Sequence, residues 1–173
     1  MMKNVLVAVV VLVLLGTNRA PITAQTPSDA CALLPAAEAQ ALAGTAKVSA
    51  GKSSTDQFGS NLCQYEWGTG ANAQAGRSFL TVTLTTTAQT FPGFTPALAQ
   101  QGLLAPAKAG KPNTAVIPGV GDAAIYESID SNNVKTTAMA KGNMVVIVAF
   151  ESLDARAKKD QVIALLKAAA GRL

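Results

Sequence analysis

The chain has only two cysteines, Cys31 and Cys63, and both lie downstream of an apolar N-terminal run. Lys3 gives the start a positive charge, and Val5 to Leu15 follow as an unbroken stretch of Val, Leu and Ala. That stretch is shorter than the ~20 residues a membrane span needs, and it has the form of the apolar core of a secretory signal. Export brings a chain into an oxidising compartment, where its only two thiols are most simply read as one disulfide. A Cys31–Cys63 bond would close a long loop and tie the start of the domain to its first strand. On the chain-entropy model that restraint is worth roughly 3.5 kcal/mol, a large share of a domain's ~5–15 kcal/mol. Free thiols, redox chemistry and metal binding are the other readings of the pair, and no Cys-x-x-Cys spacing supports a redox motif.

The expected division is a secretory signal over 1–24, a linker over 25–30 and one domain over 31–173. Ile22-Thr23-Ala24 offers small or tolerable residues at the cut, whereas a cut after Ala20 would leave Pro21 next to it. Lipidation of Cys31 fits poorly, because Ser28-Asp29-Ala30 precede it and the apolar run ends well before it. An uncleaved anchor is the alternative for the N-terminus. Lys3 and Arg19 belong to the leader, so twelve Lys and Arg face ten Asp and Glu in the rest, and the formal charge falls from +4 to +2. Basicity is therefore no pointer to nucleic acid. The densest basic group, Arg156, Lys158 and Lys159, has Asp154 and Asp160 beside it and no aromatic interleaving.

The expected fold class is α+β: one twisted antiparallel sheet of about five strands, packed against N-terminal, middle and C-terminal helices. Pro35 stands at the start of a helix that runs to Leu42 and stops at Gly44. Lys47 to Gly59 is polar and reads as a loop with room for one short strand. Leu62 to Trp67 alternates, with Cys63, Tyr65 and Trp67 on the core face. Ser78 to Thr87 alternates more clearly, Leu80, Val82 and Leu84 against Thr81, Thr83 and Thr85. A short middle helix is expected over Pro92 to Gln101, ended by Gly102, with Ala105 to Gly121 as the longest irregular segment. Ala123 to Ile129 and Val134 to Lys141 read as strands joined at Asp130-Ser131-Asn132-Asn133. Gly142-Asn143 is a hairpin signal, and Met144 to Phe150 reads as a central strand covered on both faces. Asp154 to Leu173 is expected to form the last helix, with Val162, Leu165, Leu166 and Ala169 as its apolar stripe.

Several apparent motifs lack their context. Ala46 to Ser53 imitates a phosphate loop, yet polar coil follows it where a helix is required. Ser49-x-x-Lys52, Ser131-x-Asn133 and Lys135-Thr136 imitate serine–lysine hydrolase motifs, but two of them would share one hairpin. Gly119-x-Gly121-x-x-Ala124 leads into a strand and not the helix of a dinucleotide site. The chain has no histidine, which excludes histidine-based triads. A carboxylate pair drawn from Glu66, Asp122, Glu127, Asp130 and Glu151 stays formally open for glycoside-type hydrolysis. No catalytic, cofactor-binding or metal-binding residue is assigned, and Cys31 and Cys63 are the site residues named.

Cys31-Ala-Leu-Leu-Pro-Ala-Ala-Glu38, Leu42-Ala-Gly44, Cys63-Gln-Tyr65, Pro118-Gly-Val-Gly121-Asp122-Ala-Ala124 and Lys141-Gly142-Asn143 form a set. The set resembles a family of small exported bacterial domains of unknown function, many of them lipoproteins, and spans most of residues 29–150. The resemblance implies an α+β envelope domain with one disulfide and carries no catalytic residues. The chain departs from it in lacking the lipid-attachment cysteine and in placing Pro35 where Thr is usual.

The resulting functional expectation is an exported, periplasmic or extracellular, non-enzymatic module without cofactor. It would bind a small ligand, an envelope component or a protein partner. Recognition is expected on the loops Gly68 to Gly76 and Ala105 to Gly121, with the face of Thr81, Thr83 and Thr85 as a second candidate. A structural partner of an envelope complex and a carboxylate hydrolase are the alternatives.

Overall fold

The structure is a computed structural model and describes residues 29–173. The expected signal, its cut and all but the end of the linker lie outside the described residues. Those described form an α+β fold built on one antiparallel sheet. In chain order the elements are α1 (Ala30–Leu33), α2 (Ala36–Ala43), β1 (Lys52–Thr55), β2 (Asn61–Trp67) and β3 (Ser78–Thr86). Then come α3 (Thr87–Thr90), α4 (Pro96–Lys108), β4 (Thr114–Val116), β5 (Ala123–Ser128), β6 (Asn133–Ala140), β7 (Met144–Glu151) and α5 (Lys159–Gly171).

The sheet has seven strands in the order β1-β2-β3-β7-β6-β5-β4, and not about five. The two extra strands are its edges, which explains why the apolar pattern does not announce them. All four side chains of β1, Lys-Ser-Ser-Thr, are exposed, so no face of it needs apolar residues. β4 is three residues long and pairs only with β5. Short, polar or lysine-bearing edges also resist pairing with other chains.

One face of the sheet carries the main core. Cys63, Tyr65 and Trp67 of β2 point there, as the alternation predicts, with Leu80, Val82 and Leu84 of β3 and Val146, Val148 and Phe150 of β7. α1, α2 and α5 cover this face, and Val162, Leu165, Leu166 and Ala169 are the buried stripe of α5. Trp67 stacks on Phe150 with ring centroids 5.6 Å apart. The helix after Pro35 runs over Ala36–Ala43 and ends at Gly44, as expected. α5 starts at Lys159, later than Asp154, because the segment after Ser152 first makes a series of turns in which Asp154 accepts the Ser152 hydroxyl at 2.6 Å.

Cys31 and Cys63 lie at disulfide-bonding distance, Cα to Cα 4.9 Å, which fastens α1 to β2. Two neighbours complete that corner. The Tyr65 hydroxyl donates to the Leu34 carbonyl at 2.5 Å. Gly51 lies against both: a Cβ there would sit 2.8 Å from Tyr65 Cε1 and 2.9 Å from Cys63 Sγ.

The middle helix departs most from expectation. It begins at Pro96, capped by Thr95 Oγ1 accepting the Leu98 amide at 3.3 Å, and runs through Gly102 and Pro106 to Lys108. Pro106 removes the amide that would donate to the Gly102 carbonyl, a loss the helix carries only two residues before its end at Lys108. The Ala109, Gly110 and Lys111 amides then close on the Ala105, Ala107 and Pro106 carbonyls. Part of the segment expected to be irregular is therefore the end of α4 and all of β4.

Candidate functional site

The second face of the sheet positions the site, because it is only half covered. α4 sets Ala99 and Leu103 against Ala123, Ile125, Met139 and Val145, closing the β4–β5–β6 end. The single turn of α3 and Phe91 close over the Thr85 end, and nothing among the described residues covers the stretch between. Leu62, Phe79, Thr81, Thr83, Ile147 and Ala149 are therefore half-buried on an open surface. Ile147 and Ala149 correct the expectation that β7 is covered on both faces, since α4 does not reach them fully.

Cross-strand register orders this surface into rows. One row runs Leu62, Thr83, Ile147, Thr137, Ile125 and Val116. The next runs Gln64, Thr81, Ala149, Lys135 and Glu127, and a third runs Glu66, Phe79, Glu151 and Asn133.

Two clefts lie along these rows. The first, of about 240 Å³, opens between α4 and the sheet and includes Phe91, Leu103, Pro106, Ile125, Thr137 and Ile147 in its lining. Leu98 shares the α4 stripe of Gly102 and Pro106 by its four-residue spacing and is 52% exposed. The second, of about 120 Å³, is lined by Gln64, Phe79, Thr81, Ile129, Asn133 and Glu151 among others. The clefts adjoin where Lys135 of the first pairs in register with Ala149 of the second. Together they form one trough, apolar under α4 and polar at its far end.

The electrostatics of the trough are simple. Lys135 and Glu127 pair across β5 and β6 at 3.0 Å. Glu66 lies 3.6 Å from Arg77, both largely exposed. Glu151 has no ion-pair partner among the described residues, which leaves an unbalanced carboxylate on the rim of the smaller cleft. The remaining polar groups are hydroxyls of Thr81, Thr83 and Thr137 and amides of Gln64 and Asn133. This is chemistry for holding a ligand with hydrogen bonds and apolar contact.

The other candidate residues are dispersed. Asp122 accepts the Gly142 amide at 2.9 Å and closes the β6–β7 hairpin. Asp130 accepts the Asn132 amide at 2.7 Å and Asn133 Nδ2 at 2.8 Å, and the Asn133 bond leads the lowering of its pKa. These hold turns, whereas Glu66 and Glu151 lie in one register row on either side of Phe79. Among the described residues no three His, Cys, Asp or Glu side chains group closely enough to hold a metal ion. Lys52 and Ser53 of the phosphate-loop look-alike lie in β1, with no helix behind them.

The Pro118 to Ala124 motif is likewise structural. Gly121 has φ +53°, and a Cβ there would fall 2.2 Å from the Met139 carbonyl oxygen, which accepts the Asp122 amide at 2.7 Å. The loop Gly68 to Gly76, expected to recognise a ligand, holds one 3₁₀ turn at Ala73–Ala75. Gly68 of that loop lines a cleft beside Lys47, Ser49, Glu66 and Arg77.

No family model, curated protein or solved structure matches the chain.

Sequence reasoning names Thr81 and Thr83 of this surface, but Thr85 is 5% exposed and bonded to Ser60 and Gln89, and Gln64, Phe79, Ile147, Ala149, Leu103 and Pro106 are missed. Ending the middle helix at Gly102 removes the wall of the trough. The available signal is the alternation of Ile147 and Ala149 opposite Val146 and Val148, which separates the two faces of β7.

Proposed function

We propose that the protein is an exported, non-catalytic binding module whose recognition surface is the trough beside α4. The single observation that carries this reading is the asymmetric cover of the sheet. Three helices close one face, while the other is closed only at its β4–β5–β6 end by α4 and at its Thr85 end by α3. Exposed apolar side chains stand beside the open part: Ile129, 67% exposed, lines the smaller cleft, and Phe94, 52% exposed, lies against Gly102 of the larger. Exposed apolar surface of this kind marks interaction sites.

A fragment and short-peptide screen, read by backbone amide shifts, tests it. Binding should perturb Thr81, Thr83, Ile147 and Ala149 and should vanish in Thr81→Trp, which fills the smaller cleft from a half-buried position in its lining. Hits confined to the Lys47–Arg77 cleft would overturn the assignment. Turnover of a glycoside, ester or peptide abolished by Glu127→Gln or Glu151→Gln would overturn its non-catalytic part.

A further inference from the structure

We infer that the occupant of the trough is an extended peptide segment carrying an apolar residue and a basic residue four positions apart; this rests on the trough being the recognition surface. Three features of the surface select this chemistry.

The first is the pair of clefts and their spacing. The larger cleft has Ile147 at its floor and the smaller has Glu151 at its rim, and these residues are four apart on β7. At the rise of a strand that separation is about 13 Å. An extended chain lying along β7 spans the same distance in four residues. The volumes, about 240 and 120 Å³, divide the trough into two recesses that each suit a side chain.

The second feature is charge. Lys135 is neutralised by Glu127, so Glu151 sets the sign of the smaller cleft. Phe79 lies beside it in register, and Glu66, paired with Arg77, flanks Phe79 on the other side. A carboxylate next to an aromatic ring accepts a Lys or Arg side chain by ion pairing and by contact with the ring face.

The third is the floor of the smaller cleft, where Gln64, Thr81 and Ala149 meet the occupant, with Thr83 in the next register row. A docked helix satisfies its own backbone and wants an apolar floor, and an acyl chain wants the same. Hydroxyls and amides instead pair with the free N–H and C=O groups of an extended backbone.

The test uses the protein without its apolar N-terminal run, residues 25–173, and acetylated, amidated ten-residue peptides of Ser and Thr with Leu and Lys four apart. Amide shifts and calorimetry are read at low and high salt. Shifts should centre on Phe79, Thr81, Ala149 and Glu151. Affinity should fall about three- to tenfold when the peptide Lys is replaced by Glu, or the protein carries Glu151→Gln, and should weaken with salt. An unchanged thermal midpoint for Glu151→Gln keeps the loss from being a folding effect. Equal binding of the Lys and Glu peptides, or shifts outside the trough, overturns the inference. If a neutral oligosaccharide or an apolar fragment perturbs the trough and the peptide does not, the inference falls and the trough stands as a binding surface. If no probe perturbs it, both fall.

Discussion

Tyr65 donates its hydroxyl to the Leu34 carbonyl from the strand position next to Cys63 on the same face, where Cys63 meets Cys31. A covalent and a hydrogen-bonded link thus join the same two elements, α1 with its C-terminal exit and β2. Burial, helped by the nearby Asp29 and Glu38 charges, raises the Tyr65 pKa, so the hydroxyl stays a donor at neutral pH. Because the two links constrain one corner, they should act together. Tyr65→Phe leaves the Leu34 carbonyl without its partner and should cost about 1–2 kcal/mol in urea unfolding. Reduction, or Cys31→Ala with Cys63→Ala, should cost roughly 2–4 kcal/mol. Combining the two should cost measurably less than their sum, since freeing α1 by one route already forfeits part of the other. Strict additivity would show that the links are independent.

Gly51 is required by space and not by backbone angle. Its Cβ would meet Tyr65 Cε1 and Cys63 Sγ inside 3.0 Å, and both atoms belong to side chains fixed by the corner just described. Gly51→Ala should destabilise by about 1–3 kcal/mol, as overpacking does. The cost should shrink in the Cys31→Ala, Cys63→Ala background, where the sulfur is gone. Equal cost in both backgrounds would place the clash on Tyr65 alone.

Acid stability should depend on two turn carboxylates. Asp56 accepts the Ser60 amide and the Phe58 amide at 2.9 Å each, and the Ser60 bond leads the lowering of its pKa below the ordinary 3.8. Asp130 is lowered chiefly by the Asn133 side chain. A carboxylate with a lowered folded pKa stabilises above its unfolded value and loses that contribution as pH falls through the folded one. Stability should therefore be flat above about pH 5 and decline below about pH 4. Asp56→Asn with Asp130→Asn should flatten that decline. Carbon-detected titration of the two carboxyls checks the cause directly, and ordinary values at both sites would refute it.

What the sequence makes legible follows from how many neighbours each segment must satisfy. β2 and β3 alternate because one face is buried against helices, so the pattern alone turns Cys63, Tyr65 and Trp67 inward. α2 and the β6–β7 hairpin announce themselves through Pro35, Gly44 and Gly142-Asn143, whose backbone demands are local. β1 is legible only as room for a short strand within Lys47 to Gly59, and β4 not at all, because short edge strands carry no pattern to read. α4 reads too short because Gly102 is a poor helix residue, yet here it lies mid-helix, where a Cβ would sit 3.7 Å from Phe94 Cε2. The trough stays hidden for the same reason: it exists only once α4 has its full length and β3 lies beside β7, a pairing of strands far apart in the chain.

The C-terminal residues should matter more than their position suggests. Arg172 donates to both carboxylate oxygens of Glu38 and, through Nη1, to the Leu33 carbonyl at 2.6 Å. It therefore ties the end of α5 to α1 and α2 on the covered face of the sheet, and the Glu38 bond is the leading cause of its raised pKa. Arg172→Ala should cost about 1–2 kcal/mol, because it frees a charged fork and orphans a buried backbone carbonyl. Arg172→Lys should recover little, since one ammonium cannot meet a carboxylate and a carbonyl in the same planar geometry. Glu38→Gln should lie between the two, keeping the carbonyl bond while losing the ion pair. Urea unfolding of the three variants orders these effects, and full rescue by lysine would reduce the contact to simple charge attraction.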